Sequence, residues 1–134
     1  MFSRIFLTAV ILLLSISNLS GQQLNLNIIE PHDKAKVPER PFVEGTVSNP
    51  NAEVWVVVHP MMVSDYWVQA KPTVKREGTW RVKIHVGRPG TIDIGEEYEI
   101  VAFANPKDKL KEGLKLPGWP DSEGKSQVVE VTRE

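Results

Sequence analysis

Seven residues, Glu53-Val54-Trp55-Val56-Val57-Val58-His59, constrain this chain more than any other stretch. They are its densest run of β-branched and aromatic side chains, the composition of a strand inside a sheet. On the two-residue period of a strand, Val54, Val56 and Val58 point one way and Trp55, Val57 and His59 the other, so both faces are largely apolar. Such a strand has to be covered on both sides. One cover is the core of a sandwich. The other is a loop, a second subunit or a ligand, and the sequence leaves those three open.

The rest of the chain reads as strands arranged about this one. Leu24 to Ile29 alternates Leu and Ile with Asn and makes a half-buried first strand, closed by Pro31-His32-Asp33. Lys34 to Pro41 is polar, carries two prolines and is expected to be a surface loop. Phe42 to Val47 is a second strand, in which Gly45 marks a bulge or the close approach of another backbone. Beyond Pro60, Tyr66 to Ala70 resumes an extended course. Trp80, Val82, Ile84 and Val86 then alternate with Arg81, Lys83 and His85, giving a strand with one core side and one wet side. Glu97 to Ala104 is apolar on both faces like the central strand, and Gln127 to Thr132 is the last strand. Between Asn105 and Lys125 no strand is evident over about 21 residues, well beyond an ordinary connection. Leu110, Leu114, Leu116 and Trp119 are out of place in a solvated linker, so this segment is expected to be ordered, with one helical turn over Lys107 to Glu112.

Seven short strands with frequent turn signals and no long helix match an all-β, seven- or eight-stranded antiparallel sandwich. Asp93-Ile94-Gly95-Glu96-Glu97-Tyr98-Glu99-Ile100 resembles the corner before the penultimate strand of immunoglobulin-like domains, with Tyr98 as the corner tyrosine and Ile100 at a core position. Val43-Glu44-Gly45-Thr46-Val47, the valine-rich strand and Gly78-Thr79-Trp80 together look like the immunoglobulin-like modules of bacterial exported proteins. The resemblance implies a binding or scaffolding role and brings no catalytic residues with it. It also implies that the central strand and Glu97 to Ala104 are neighbours in one sheet, with Trp55, Val57, Val101 and Phe103 sharing its outer face.

The first residues have a different character. Arg4 followed by the apolar run Ile5 to Ile16 is too short to span a bilayer, which takes about 20 apolar residues, and reads as an export signal. Cleavage after Ser17 or after Gly21 fits the small residues there, so residues 1–21 are expected to be the signal and 22–134 the domain. An uncleaved anchor is the alternative, and this signal is the chain's expected tie to a membrane. Losing Arg4 and no acidic residue takes the formal charge from −1 to −2, and the basic residues are scattered, which argues against nucleic acid as a partner. There is no cysteine. A domain of about 110 residues buries enough surface to hold without disulfides. Their absence points to a bacterial secreted or periplasmic protein, since small secreted eukaryotic domains are usually stapled.

No catalytic constellation appears: Gly-x-Ser-x-Gly, a phosphate-cradling glycine loop and His-Glu-x-x-His are all missing, and nothing implies a cofactor. The histidines His32, His59 and His85 lie in separate segments without metal-ligand spacing, so a periplasmic metal-binding protein is the second reading, and separate surface histidines the plainer one. The aromatics say more. Trp80 belongs to the core by its alternation. Tyr66, Trp67, Trp119 and Trp55 either form a contact surface for a protein or a carbohydrate or are satellite core beneath the Asn105–Lys125 segment. Trp and Tyr suit both roles, combining large area with a polar handle.

Overall fold

The computed structural model describes residues 24–134, so the expected signal lies outside the described residues. Ten strands follow in chain order: β1 Leu26–Glu30, β2 Ala35–Val37, β3 Phe42–Val47, β4 Val54–Pro60, β5 Tyr66–Val68, β6 Thr79–Lys83, β7 Glu97–Pro106, β8 Lys115–Leu116, β9 Ser122–Lys125 and β10 Val129–Arg133. They form two sheets. The small one has the order β1-β3-β6; the large one runs β2-β10-β7-β4-β5-β8, with β9 also against β7. There is no helix among the described residues.

The central strand sits where its composition demands. β4 pairs with β7 over its whole length, Trp55 opposite Phe103 and Val57 opposite Val101. Its Val54, Val56 and Val58 join Ile100, Ala102 and Ala104 of β7 in a core shared with Leu26, Ile28, Val43, Val47, Trp80 and Val82 of the small sheet. On the other face Trp55, Val57, Val101 and Phe103 make a second apolar layer, closed by Leu110 with Leu116, Tyr66 and Trp119. The segment after β7 therefore folds back over the sheet. Leu110 is buried there while Leu114 is exposed, because the turn from Lys111 to Leu114 carries Leu114 outward.

Four expectations need correction. Lys34 to Pro41 is more than a loop, since β2 within it pairs with β10. That pair is parallel, so the sandwich is not wholly antiparallel; burial of Val37 fixes β2 to the large sheet. The Asn105–Lys125 segment holds two short strands and no helical turn: β8 extends the sheet beyond β5, and β9 runs beside the end of β7. The count thus rises from the expected seven or eight to ten. Strands this short carry too few residues to show a period.

The glycine expectation is met at Gly45. A side chain there would collide with the Asn27 carbonyl and the Trp80 indole, so β1 and Trp80 approach β3 only because the position is bare.

Both outer edges of the small sheet are closed by glutamine side chains. Ile28 of β1 donates to Gln127 Oε1 at 3.1 Å and accepts from its Nε2 at 2.7 Å. On the far edge His85, just past β6, donates its backbone N–H to Gln69 Oε1 at 2.8 Å, and Gln69 Nε2 donates to the Trp67 carbonyl at 3.1 Å. Each amide occupies backbone groups that an added strand would otherwise pair with.

Candidate binding site

The large sheet continues through β5 and β8, whereas the small sheet stops at β6. Residues on β5 that face the small sheet therefore look partly into open space. By strand alternation these are Trp67 and its neighbour Gln69, while Tyr66 and Val68 turn to the outer layer. A cleft of about 820 Å³ results. Its floor is Trp67 and Gln69 with Val58 of β4; Arg40, Lys83 and His85 line it from the small-sheet side. Met62, Val63 and Asp65, from the β4–β5 turn, form the lip, and Arg88, Pro89 and Asp93 close the end.

The exposed apolar side chains gather around this opening. Of the ten large hydrophobic residues exposed among those described, Met62, Val63 and Trp67 line the cleft, and Met61, Ile92 and Ile94 are chain neighbours of lining residues. Met62 is 81% exposed and Ile92 66%. Apolar side chains gathered at one opening, rather than scattered singly, are the usual mark of a contact surface.

The end wall is held rigidly. Arg88 makes a two-pronged pair with Asp93, Nη2 to Oδ1 at 2.9 Å and Nε to Oδ2 at 3.1 Å, and its backbone N–H donates to Oδ2 at 2.6 Å. Buried Arg133 reaches beneath, donating to the carbonyls of Val86, Arg88 and Gly90. The Arg88 side chain, and after it the Arg88 N–H, bring the Asp93 carboxyl down to about 2. A lowered carboxyl stabilises the fold fully above its unfolded value of about 4, and that contribution is lost as pH falls through about 2. Asp93→Asn is accordingly expected to flatten the acid limb of thermal stability between about pH 4 and 2, read by melting curves of both proteins. Beside this loop, burial first and then Asp93 push the Tyr98 phenol up.

The four aromatic candidates separate. Trp55 is buried, 7% exposed, with its indole N–H donating to Glu53 Oε1 at 3.0 Å and the Lys71 ammonium 5.6 Å from its ring centroid. Lys71 and then that indole hold the Glu53 carboxyl below its ordinary value. Trp55 is thus core, and leaves the contact set. Tyr66 and Trp119 meet edge to face at 4.7 Å, and Trp119 also lies 5.9 Å from Phe103. Both are half-buried parts of the outer layer. Trp67 alone of the four lines the cleft, with the Lys115 ammonium 5.9 Å from its ring centroid.

No protein-family model matches this chain, and no curated protein matches it either.

The histidines stay apart. His32 pairs with Glu30 at 3.1 Å, His85 lines the cleft, and His59 has both ring nitrogens engaged on the outer layer. Among the described residues no group of three His, Asp or Glu side chains could hold a metal ion. The residues that sequence reasoning missed are the lip, Gln69 and Arg133. Met61-Met62-Val63 was the available signal, an apolar run at a turn position; nothing in the sequence marked Arg133, which sits at the end of an ordinary strand.

Proposed function

We propose that this chain is an exported, non-catalytic binding module that takes an apolar segment of a partner protein into the Trp67 cleft. The observation carrying this reading is the set of exposed apolar side chains that line that cleft, Met62, Val63 and Trp67. A carbohydrate surface would offer several exposed aromatic faces; here one aromatic is joined by thioether and aliphatic side chains, which adapt to apolar side chains of a protein. The immunoglobulin-like arrangement belongs to the same proposal, supported by β4 beside β7 and by Tyr98 and Ile100 together in the main core. Among the described residues no cluster of His, Asp or Glu supports a metal-binding role.

Export rests on Arg4 and the Ile5 to Ile16 run. Mass spectrometry of the protein recovered outside the cytoplasm is expected to find an N-terminus between Asn18 and Gln23; intact Met1 in the membrane fraction would identify an anchor instead.

The binding reading is tested with a displayed random-peptide library and a glycan array, each probed with the wild type and with Trp67→Ala. Peptides carrying bulky apolar residues are expected to be enriched by the wild type. Their affinity should fall at least about tenfold in Trp67→Ala, the loss of one central aromatic contact. Glycans bound in place of peptides, or peptides indifferent to Trp67, would overturn it.

A further inference from the structure

His59 stands at the junction of the outer layer and the cleft lip. It ends β4 opposite Glu99 of β7, and its Nδ1 lies 2.8 Å from Glu99 Oε1. Its Nε2 lies 2.7 Å from the carbonyl oxygen of Val63, in the turn that supplies Met62, Val63 and Asp65 to the cleft. The ring is stacked on Tyr66 at 4.0 Å with an interplanar angle of 8°, and meets Trp119 edge-on at 5.7 Å. Two aromatic neighbours thus fix the plane of the imidazole, and the two nitrogens cannot turn to other partners without unstacking.

Both partners of this ring are acceptors. A carboxylate and a carbonyl have no proton to give, so each of the two contacts needs an N–H from the histidine. Only the imidazolium has two. The neutral ring keeps one proton, best placed on Nδ1 against the charged carboxylate, and then points the Nε2 lone pair at the Val63 oxygen. The remaining ties of the turn are the Val63 N–H on the Pro60 carbonyl, at 3.3 Å, and the Met61 N–H on the Glu97 carbonyl, at 3.0 Å.

We propose that His59 is a pH-responsive latch on the lip of the cleft: doubly protonated, it holds the Met61–Asp65 turn through Val63, and neutral, it releases it. This regulation rests on the cleft being the binding site. The second ring proton keeps the lip in place, and its loss as pH rises frees Met62 and Val63 to move. The charged and titratable groups facing the latch are Glu99 of β7 and Tyr66 of β5. Lys125 of β9 lies beyond Trp119, and Asp65 on the turn itself is paired loosely with Lys115 of β8 at 3.9 Å. Of these, Glu99 alone bonds the ring, so the change in hydrogen bonding originates at His59.

The test uses the full chain without any ligand, so it stands or falls apart from the peptide experiment. Ring nitrogen spectra report the protonation of His59, and backbone amide exchange, referenced to the intrinsic rate at each pH, reports opening of Val63 to Asp65. As pH is raised through the range in which histidines change charge, the ring is expected to pass from two N–H groups to one. Protection of the turn should fall about tenfold over the same span, the loss of one charge-assisted bond. In His59→Gln the turn should show no such step, while His85→Gln should keep it. A ring that titrates with no change at the turn, a ring that keeps one state throughout, or the same step in His59→Gln would each overturn the latch. The titration of the unmodified chain decides the matter alone if His59→Gln does not fold.

Discussion

Arg133→Met is expected to lower the unfolding free energy by about 3 kcal/mol, since a buried carbonyl left without its donor costs about 1 to 3 kcal/mol. Arg133 is 3% exposed and supplies hydrogen bonds to three carbonyls of the segment leading into the end wall. Methionine roughly fills its volume and offers no donor, leaving the oxygens of Val86, Arg88 and Gly90 to find other partners. Gly87 and Gly90, both at positive φ, shape the backbone around this guanidinium, and a side chain at Gly87 would strike the Tyr98 hydroxyl. Denaturant unfolding measures the energy. Amide spectra should show the largest changes over Gly87 to Gly95, and a variant with wild-type stability would show that the guanidinium is dispensable.

Trp119→Ala is expected to cost about 3 kcal/mol, the low end for removing a large aromatic because the indole is only half-buried. It caps Phe103, Tyr66 and His59 at once, and Trp55 and Val101 lie in the layer behind them. Trp67→Ala, by contrast, should change stability by less than about 0.5 kcal/mol, since its ring faces the cleft. Paired melting curves check both. Equal losses at the two positions would mean that Trp67 is packed as firmly as Trp119, and would remove the main support for the cleft as a binding site.

How far the chain could be read from its residues depended on period and reach. β4 and β7 were legible because an apolar strand with two buried faces admits few arrangements, and their pairing puts Trp55 against Phe103 as expected. The alternation from Trp80 to Val86 is matched residue by residue in burial, although β6 itself ends at Lys83. That the segment after β7 is ordered was legible too, from leucines with no use in a linker, whereas its folding back over this face was one of the covers left open. β2, β8 and β9 were not, because two to four residues show no periodicity and their pairing is decided by distant partners. The candidate site split for a related reason. Tyr66 and Trp67 are adjacent in sequence, and adjacency in a strand sends them to opposite faces, so a surface containing both was excluded by the strand that carries them. The cleft comes from the difference in width between two sheets, which no local pattern records.

The glutamine amides at Ile28 and His85 bear on how copies of this protein meet. The small sheet, like any open sheet, has two edge rows of backbone groups, and a neighbouring chain that lines up along such a row can zip on and recruit the next. Here an approaching strand finds the Ile28 N–H and carbonyl occupied on one side and the His85 N–H occupied on the other. Zipping must begin by breaking a bond already made, at the moment when the newcomer has formed none. The barrier therefore falls on the first step of assembly, where a small energy slows growth most.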